Sequence, residues 1–146
     1  MNLKDIERAQ LAVFGAREAG PDAALEQMLA ICYCIRNRVR AGWEDGNWLR
    51  VMENAQTHAA HDALLPWPLD PNQRAFQMLI RDIDDLYYGD LEHDRGDGTD
   101  LEQAIGTQKY WCFLNRPVRA WFKENIQQDA ENHATKSQMG LMMFFE

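Results

Sequence analysis

The sequence is poor in cysteine, and the few that it has do not form a recognisable pattern. Its 146 residues include three cysteines, Cys32, Cys34 and Cys112. An odd number at no metal-binding spacing argues against a disulfide framework. Cys32 and Cys34 are two residues apart in a predicted helix, where their side chains diverge and do not pair easily. We therefore interpret all three as small apolar residues that fill the interior.

The sequence also lacks a long apolar run. No stretch approaches the roughly 20 apolar residues of a membrane-spanning helix. The N-terminal MNLKDIERAQ has no apolar segment behind a basic region, which argues against a classical signal peptide. We therefore expect no membrane insertion, and either a cytoplasmic location or export by a route that uses no classical signal.

Basic residues are in the minority. The chain has 15 Lys and Arg against 23 Asp and Glu, and its net charge of −8 argues against a nucleic-acid-binding surface or adsorption to anionic membranes. Repeats, linkers and low-complexity segments are not apparent. A length of 146 residues with 46% hydrophobic residues predicts a single domain, 1–146, with a substantial core.

Two helices are predicted in the N-terminal part. Apolar residues at helical spacing predict a first helix from about Leu3 to Ala19, ended by Gly20-Pro21. Asp22 is the predicted cap of a second helix, from about Ala23 to Ala41, with Gly42 after its end. The second helix is apolar on more than one face, which predicts a central position.

The rest of the chain predicts three more helices and a little β-structure. Asn47 is the expected cap of a third helix over WLRVMENA, and Asp70-Pro71 begins a fourth that Gly89 ends. The segments IGTQKYWCFL and MGLMMFF read as strands, with a short helix, PVRAWFKENI, between them. The expected fold is mainly α (α+β), with a small antiparallel β-ribbon in the C-terminal half.

Glu18, in the stretch EAGPD, is the first candidate for chemistry. It falls in the last turn of the first helix, where the helix dipole disfavours a negative charge. Burial among apolar neighbours would disfavour the charged form further. A carboxyl group kept partly neutral can donate a proton to a leaving oxygen, as glycosidic cleavage requires. The alternative is a solvated glutamate without a role.

The order of these segments resembles the SleB-type cell wall hydrolases, the spore-cortex-lytic enzymes. In that family a helix ends in Glu-Ala-Arg-Gly-Glu and the next closes with Asn-Arg-Val; here the matching stretches are EAGPD and NRV, residues 37–39. The later segments GTQKYWCF, RPVRAWF and MGLMMFFE fall in the family's order. Glu18 matches the family's catalytic glutamate, and Asp22 its second acid.

The resemblance implies a lysozyme-like fold and cleavage of peptidoglycan between N-acetylmuramic acid and N-acetylglucosamine. Glu18 would be the general acid/base of a lytic transglycosylase, with peptidoglycan glycan strands as partner and no cofactor or metal. A phage or secretion-system route would bring such a protein to the wall. Two departures, Gly20-Pro21 in place of Arg-Gly and Leu141-Met142 where the family has a histidine, keep open a catalytically inactive scaffold that binds a glycan or a protein. A plain helical interaction protein is the third alternative.

Four residues are candidates for binding substrate: Asp22, Asn37, Gln108 and Tyr110. Asp22 is more easily explained as a helix cap than as a second catalytic carboxylate. Asn37 could orient the loop that holds Glu18, or be a surface residue at a helix end. Gln108 and Tyr110 would point the same way on a strand and could hydrogen-bond a sugar, whereas Trp111 would face the other side.

Two weaker signals are more simply explained by solvent-exposed polar residues. His58 and His61, followed by Asp62, have helical spacing that could suit a metal, but no third ligand is evident. DRGDGTD lacks the spacing of a calcium loop and is interpreted as an acidic turn.

Overall fold

A computed structural model describes residues 3–20, 23–59, 74–89, 100–113, 136–139 and 141–145. It confirms a mainly helical protein with a small antiparallel sheet in its C-terminal part. The helices are α1 (Leu3–Ala19), α2 (Leu25–Arg40), α3 (Trp48–Ala59), α4 (Arg74–Tyr88) and α5 (Leu101–Ile105), with a 3₁₀ turn at Trp43–Gly46. The strands are β1 (Tyr110–Phe113), β2 (Lys136–Met139) and β3 (Met142–Phe145). None of the helices in these ranges has the combined length and apolar character of a transmembrane segment.

Helix α1 has the predicted bounds, and a glycine ends it. Gly20 has a φ of +94°, a left-handed conformation that a residue without a Cβ adopts at little cost. Its backbone N–H donates to the carbonyl oxygen of Ala16 at 3.1 Å. Because the helix ends at Ala19, Glu18 lies in its last turn, and the end of the helix determines where the Glu18 side chain lies.

Helix α2 is the central element, as predicted from its apolar faces. Every residue from Met28 to Arg38 is buried, and α2 packs against α1, α3, α4, α5 and β1. All three cysteines are buried, which confirms them as interior residues. The core of the described chain is therefore built around α2.

The predicted cap of α2 is wrong. The N-cap is Ala24, not Asp22, and the helix begins at Leu25. The Gln27 side-chain oxygen accepts from the backbone N–H of Ala24 at 2.9 Å, so a glutamine inside the first turn satisfies the donor that a cap region leaves exposed. Asp22 itself lies outside the described residues.

Helices α1 and α2 approach each other at Gly15. A Cβ atom built on Gly15 would lie 2.4 Å from the sulfur of Cys32 and 2.9 Å from the carbonyl oxygen of Met28. The Cys32 thiol also contacts the carbonyl oxygen of Leu11 at 3.4 Å. Only a residue without a side chain fits this crossing.

The C-terminal part differs in detail from the prediction. Ile105 ends a short helix, α5, which Asp100 caps by accepting from the Gln103 N–H, so the strand β1 starts five residues later than expected. The run MGLMMFF, predicted as one strand, contains only the last residue of β2, Met139, and all of β3, with Leu141 in a turn between them. The sheet order is β1-β3-β2, both pairs antiparallel. All four residues of β3 are buried, so no polar alternation marks where the strand begins.

The Asn47 cap of α3 is confirmed, since its side-chain oxygen accepts from the backbone N–H of Arg50 at 3.1 Å. Gly89 follows the end of α4, also as predicted. The Asp70-Pro71 start signal, the helix over PVRAWFKENI, and all but the last residue of DRGDGTD fall outside the described residues.

Candidate functional site

Glu18 is a buried carboxyl group, not a solvated one. Its residue is 6% exposed, in the last turn of α1. Oε2 accepts a hydrogen bond from the indole Nε1–H of Trp111 at 3.2 Å. The contact joins the end of the first helix to a strand 93 residues later in the chain. The helix end that carries Glu18 is thereby fixed against the sheet.

Trp111 connects Glu18 to the core. The edge of its ring meets Phe14 of α1 with centroids 6.0 Å apart and planes at 82°, a favoured aromatic arrangement. The guanidinium of Arg38 lies 4.7 Å from its ring centroid. Trp111 is thus a β1 residue whose side chain reaches Glu18. Its need for an N–H partner when buried is the signal that could have identified it.

Arg38 is a buried cation held by aromatic rings and one carbonyl. Its residue is 8% exposed, and Nε–H donates to the Lys109 carbonyl oxygen at 2.7 Å. Besides Trp111, its guanidinium lies over Trp43 and Tyr110, at 4.9 and 5.4 Å from the ring centroids. These rings interact favourably with a cation and exclude water from it.

Burial lowers the pKa of Arg38, and the nearby Cys34, Tyr110 and Glu18 act in the opposite direction. Arginine is effectively always protonated in proteins. Glu18 therefore lies in the field of a permanent positive charge. Arg38 belongs to the stretch NRV, residues 37–39, which resembles the family motif, but the sequence did not predict a role for it.

The described hydrogen bonds of Asn37 go to the turn before β1, and its predicted role in orienting the loop after Glu18 stays a prediction. It is buried at 8% exposure, and its Nδ2 group donates to the carbonyl oxygens of Gly106 and Gln108, both at 2.9 Å. Asn37 therefore holds the turn that leads into β1. A buried amide in the last turn of a central helix donates to the backbone segment that packs against that turn. Here that segment is the one that follows α5.

Gln108 and Tyr110 do not share the predicted strand geometry. Gln108 is buried at 4% exposure and lies before β1 begins, so strand alternation does not apply to it. Tyr110 is half-buried; its ring stacks on Phe145 at 5.3 Å and meets the edge of Trp43 at 5.7 Å. Their binding of a sugar stays a prediction.

Other groups in the described part of the chain do not form a metal centre. No set of three or more His, Cys, Asp or Glu side chains there is placed to hold a metal ion. The side chain of His58, and the whole of His61 and Asp62, lie outside what the structure describes.

Comparisons with protein families, with curated proteins and with solved structures found no match. The site is therefore interpreted from its own chemistry. It combines one buried carboxyl group, one buried guanidinium and an indole N–H between them. Burial and the helix end disfavour the carboxylate, whereas the cation and the N–H donor favour it. These opposing influences suit a group that must both give and take a proton.

Proposed function

We propose that this protein is a peptidoglycan-cleaving glycosidase of lytic transglycosylase type, acting between N-acetylmuramic acid and N-acetylglucosamine, with Glu18 as general acid/base. The observation that carries the proposal is the burial of Glu18 at the end of α1, with Trp111 bonded to its carboxyl group. The resemblance to SleB-type hydrolases supplies the substrate and the lysozyme-like fold.

A single carboxyl group is sufficient for this reaction. Glu18 would first protonate the glycosidic oxygen as the bond breaks. It would then take the proton of the muramoyl 6-hydroxyl as that oxygen attacks the anomeric carbon, giving an anhydro product. A hydrolase would need a second carboxylate, roughly 5–9.5 Å away, as nucleophile or base.

Arg38 and Trp111 would act after the first proton transfer. Once Glu18 is ionised, the cation and the indole N–H stabilise the new negative charge, and neither has to move to do so. Among the candidate substrate residues, Tyr110 is half-buried and is a proposed contact at its exposed edge. Gln108 and Asp22 remain proposed contacts, whereas the contacts of Asn37 support a structural role.

A second candidate function is a catalytically inactive scaffold that binds a glycan or a protein. The arrangement that favours it is the same buried contact, because a carboxylate beside a guanidinium and an indole N–H also ties α1, α2 and β1 together. Buried charged groups that are paired in this way occur in structural networks as well as in active sites. An activity measurement separates the two functions.

The test is digestion of purified murein sacculi, with soluble muropeptides identified by mass spectrometry. We expect the wild type to release anhydro-muropeptides and Glu18→Gln to lose activity by about 10²-fold or more. Glu7→Gln is the matched control, because Glu7 is a second buried acid on α1, 8% exposed, whose carboxylate accepts from the Tyr87 hydroxyl. It should retain activity.

Three results would change the proposal. Products with reducing ends would identify a hydrolase. Equal activity of the wild type and Glu18→Gln would remove Glu18 from the reaction. A folded wild type that binds several murein preparations without cleaving any of them would establish the inactive scaffold.

A further inference from the structure

The side of the molecule formed by α1 and α4 carries an apolar groove. The two helices run antiparallel, because the Lys4 ammonium lies over the Tyr88 ring and Arg8 is ion-paired with Asp84. The groove between them has a volume of about 340 Å³. Apart from the Arg8–Asp84 pair, the side chains that line it are apolar: Ala9, Ala12, Val13, Ile80 and Ile83.

Large apolar side chains are exposed around this groove. In the described ranges five large hydrophobic residues are exposed, and four of them lie on α1 or α4: Leu3, Ile6, Ile80 and Tyr88. Ile80, which lines the groove, is 50% exposed. We call the groove and these four side chains the α1–α4 face. A contiguous apolar surface of this kind is typical of an interaction site.

The α1–α4 face is large enough for a dimer. Helices of 17 and 15 residues are about 25 and 22 Å long, and each is about 10 Å wide. Side by side they present about 500 Å². Two copies that meet through this face would bury about 1,000 Å² together, which is the lower limit of specific protein–protein interfaces. A face of this size predicts a dissociation constant in the micromolar range.

The charges of the two helices fit a second copy better than a strongly basic partner. Together α1 and α4 contain five Lys and Arg against six Asp and Glu, whereas the whole chain has 15 against 23. Of the net charge of −8, these helices account for only −1. Two copies therefore repel each other least when they approach through this face, and a basic partner is attracted more strongly by other surfaces.

We infer that two copies of this chain associate through the α1–α4 face about a two-fold axis. An axis that runs between the two helices, parallel to them, places α1 of each copy against α4 of the other. Ile80 of one copy then packs against Ala9 and Val13 of the other, and these apolar groups leave water. The inference does not depend on peptidoglycan cleavage, because none of these residues belongs to the site around Glu18.

The test is sedimentation velocity ultracentrifugation of the full chain over a range of protein concentrations. We expect the weight-average sedimentation coefficient to rise from the monomer value toward the dimer value between about 1 and about 500 μM. Circular dichroism spectra of each variant show whether it is folded.

Substitutions identify the face. Ile80→Lys places a charge inside the interface, and a two-fold interface contains each residue twice, so the dissociation constant should rise about 100-fold or more. Ala9→Lys changes an exposed position on α1 and should weaken the dimer in the same way. Leu141→Lys is the matched control, because Leu141 is 52% exposed in the turn between β2 and β3. It should leave the dissociation constant unchanged.

A dimer that at least one folded face variant weakens, and that Leu141→Lys does not, supports the inference. A wild type that stays monomeric at about 500 μM overturns it and leaves the face to a different protein. A dimer that neither face variant weakens more than Leu141→Lys does also overturns it, because the copies then associate through another surface.

Discussion

The hydrogen bond between Trp111 and Glu18 is the residue-scale feature on which the site depends. Glu18 is 6% and Trp111 5% exposed, so water competes little for the bond. A buried acceptor that loses its donor costs about 1–3 kcal/mol. The bond therefore contributes to stability whether or not Glu18 takes part in catalysis, and the two contributions can be measured separately.

We expect Trp111→Phe and Glu18→Leu to be coupled in a double-mutant cycle. Each substitution removes one partner of the bond, so the second one costs less than it does alone. The coupling should be roughly 0.5–3 kcal/mol in the free energy of unfolding, measured by urea denaturation. Trp48→Phe is the control, since Trp48 packs on Tyr87 of α4 with ring centroids 4.7 Å apart, and its cycle with Glu18→Leu should be additive.

Coupling in the Trp111 cycle no larger than in the Trp48 cycle would show that the bond adds no stability. The position of Glu18 would then rest on the packing of α1 alone.

At the scale of elements, the crossing of α1 and α2 determines where Glu18 lies. Gly15 permits the backbones to approach, because Cys32 and Met28 occupy the space that a side chain would need. One turn later, α1 ends at Ala19, and Glu18 is carried to the buried side of the helix. A wider crossing would move the end of α1 away from Trp111.

We expect Gly15→Ala to destabilise the protein by about 1–3 kcal/mol, the usual cost of overpacking a core. Helix propensity alone would favour alanine by about 1 kcal/mol. The sign of the change in the free energy of unfolding therefore tests whether α1 and α2 approach closely at Gly15. Thermal or urea denaturation measures it. Gly89→Ala is the control, because the nearest atom to a Cβ there is 4.0 Å away.

The substitution Cys32→Ala removes the closest clashing atom and should recover part of the loss in Gly15→Ala. A Gly15→Ala variant that is more stable than the wild type would contradict the close approach of the two helices.

At the scale of the whole molecule, groups that lie in or beside the core make the free energy of unfolding fall as the pH becomes alkaline. Burial raises the pKa of the Cys32 thiol well above its usual range. Burial, and then the hydrogen bond to Glu7, raise the pKa of Tyr87 in the same way. In the unfolded chain these groups lose their protons near pH 8.5 and pH 10. The native state therefore binds more protons above those values, and stability falls as pH rises.

We expect the Cys32 thiol to add no pH dependence to the free energy of unfolding below about pH 8.5. Above about pH 8.5, the free energy of unfolding should fall as the pH rises. The contribution of this thiol is about 1.4 kcal/mol per pH unit until the native thiol also ionises. Urea denaturation between pH 7 and pH 10 measures the slope. Cys32→Ala should give a correspondingly smaller slope, and an unchanged slope would show that Cys32 ionises as easily in the native protein as in the unfolded chain.

Several features of this protein follow from local sequence alone. The bounds of α1, the Asn47 cap of α3 and the glycine after α4 depend on residues within a few positions of one another. The apolar residues all around α2 also suffice to place it at the centre, because a helix without a polar face must be surrounded. The mainly helical class was predictable for the same reason.

The site was decided by contacts between distant segments. The identity of Glu18 as a candidate came from its place in the sequence, but Trp111 and Arg38 became its neighbours only when α1, α2 and β1 packed together. Asn37 donates to the backbone that follows α5. Helix α5 was not predicted, because a five-residue helix has too few residues to show a hydrophobic period. A local pattern specifies which face of an element is buried, whereas the partner it meets there depends on the packing of the whole chain.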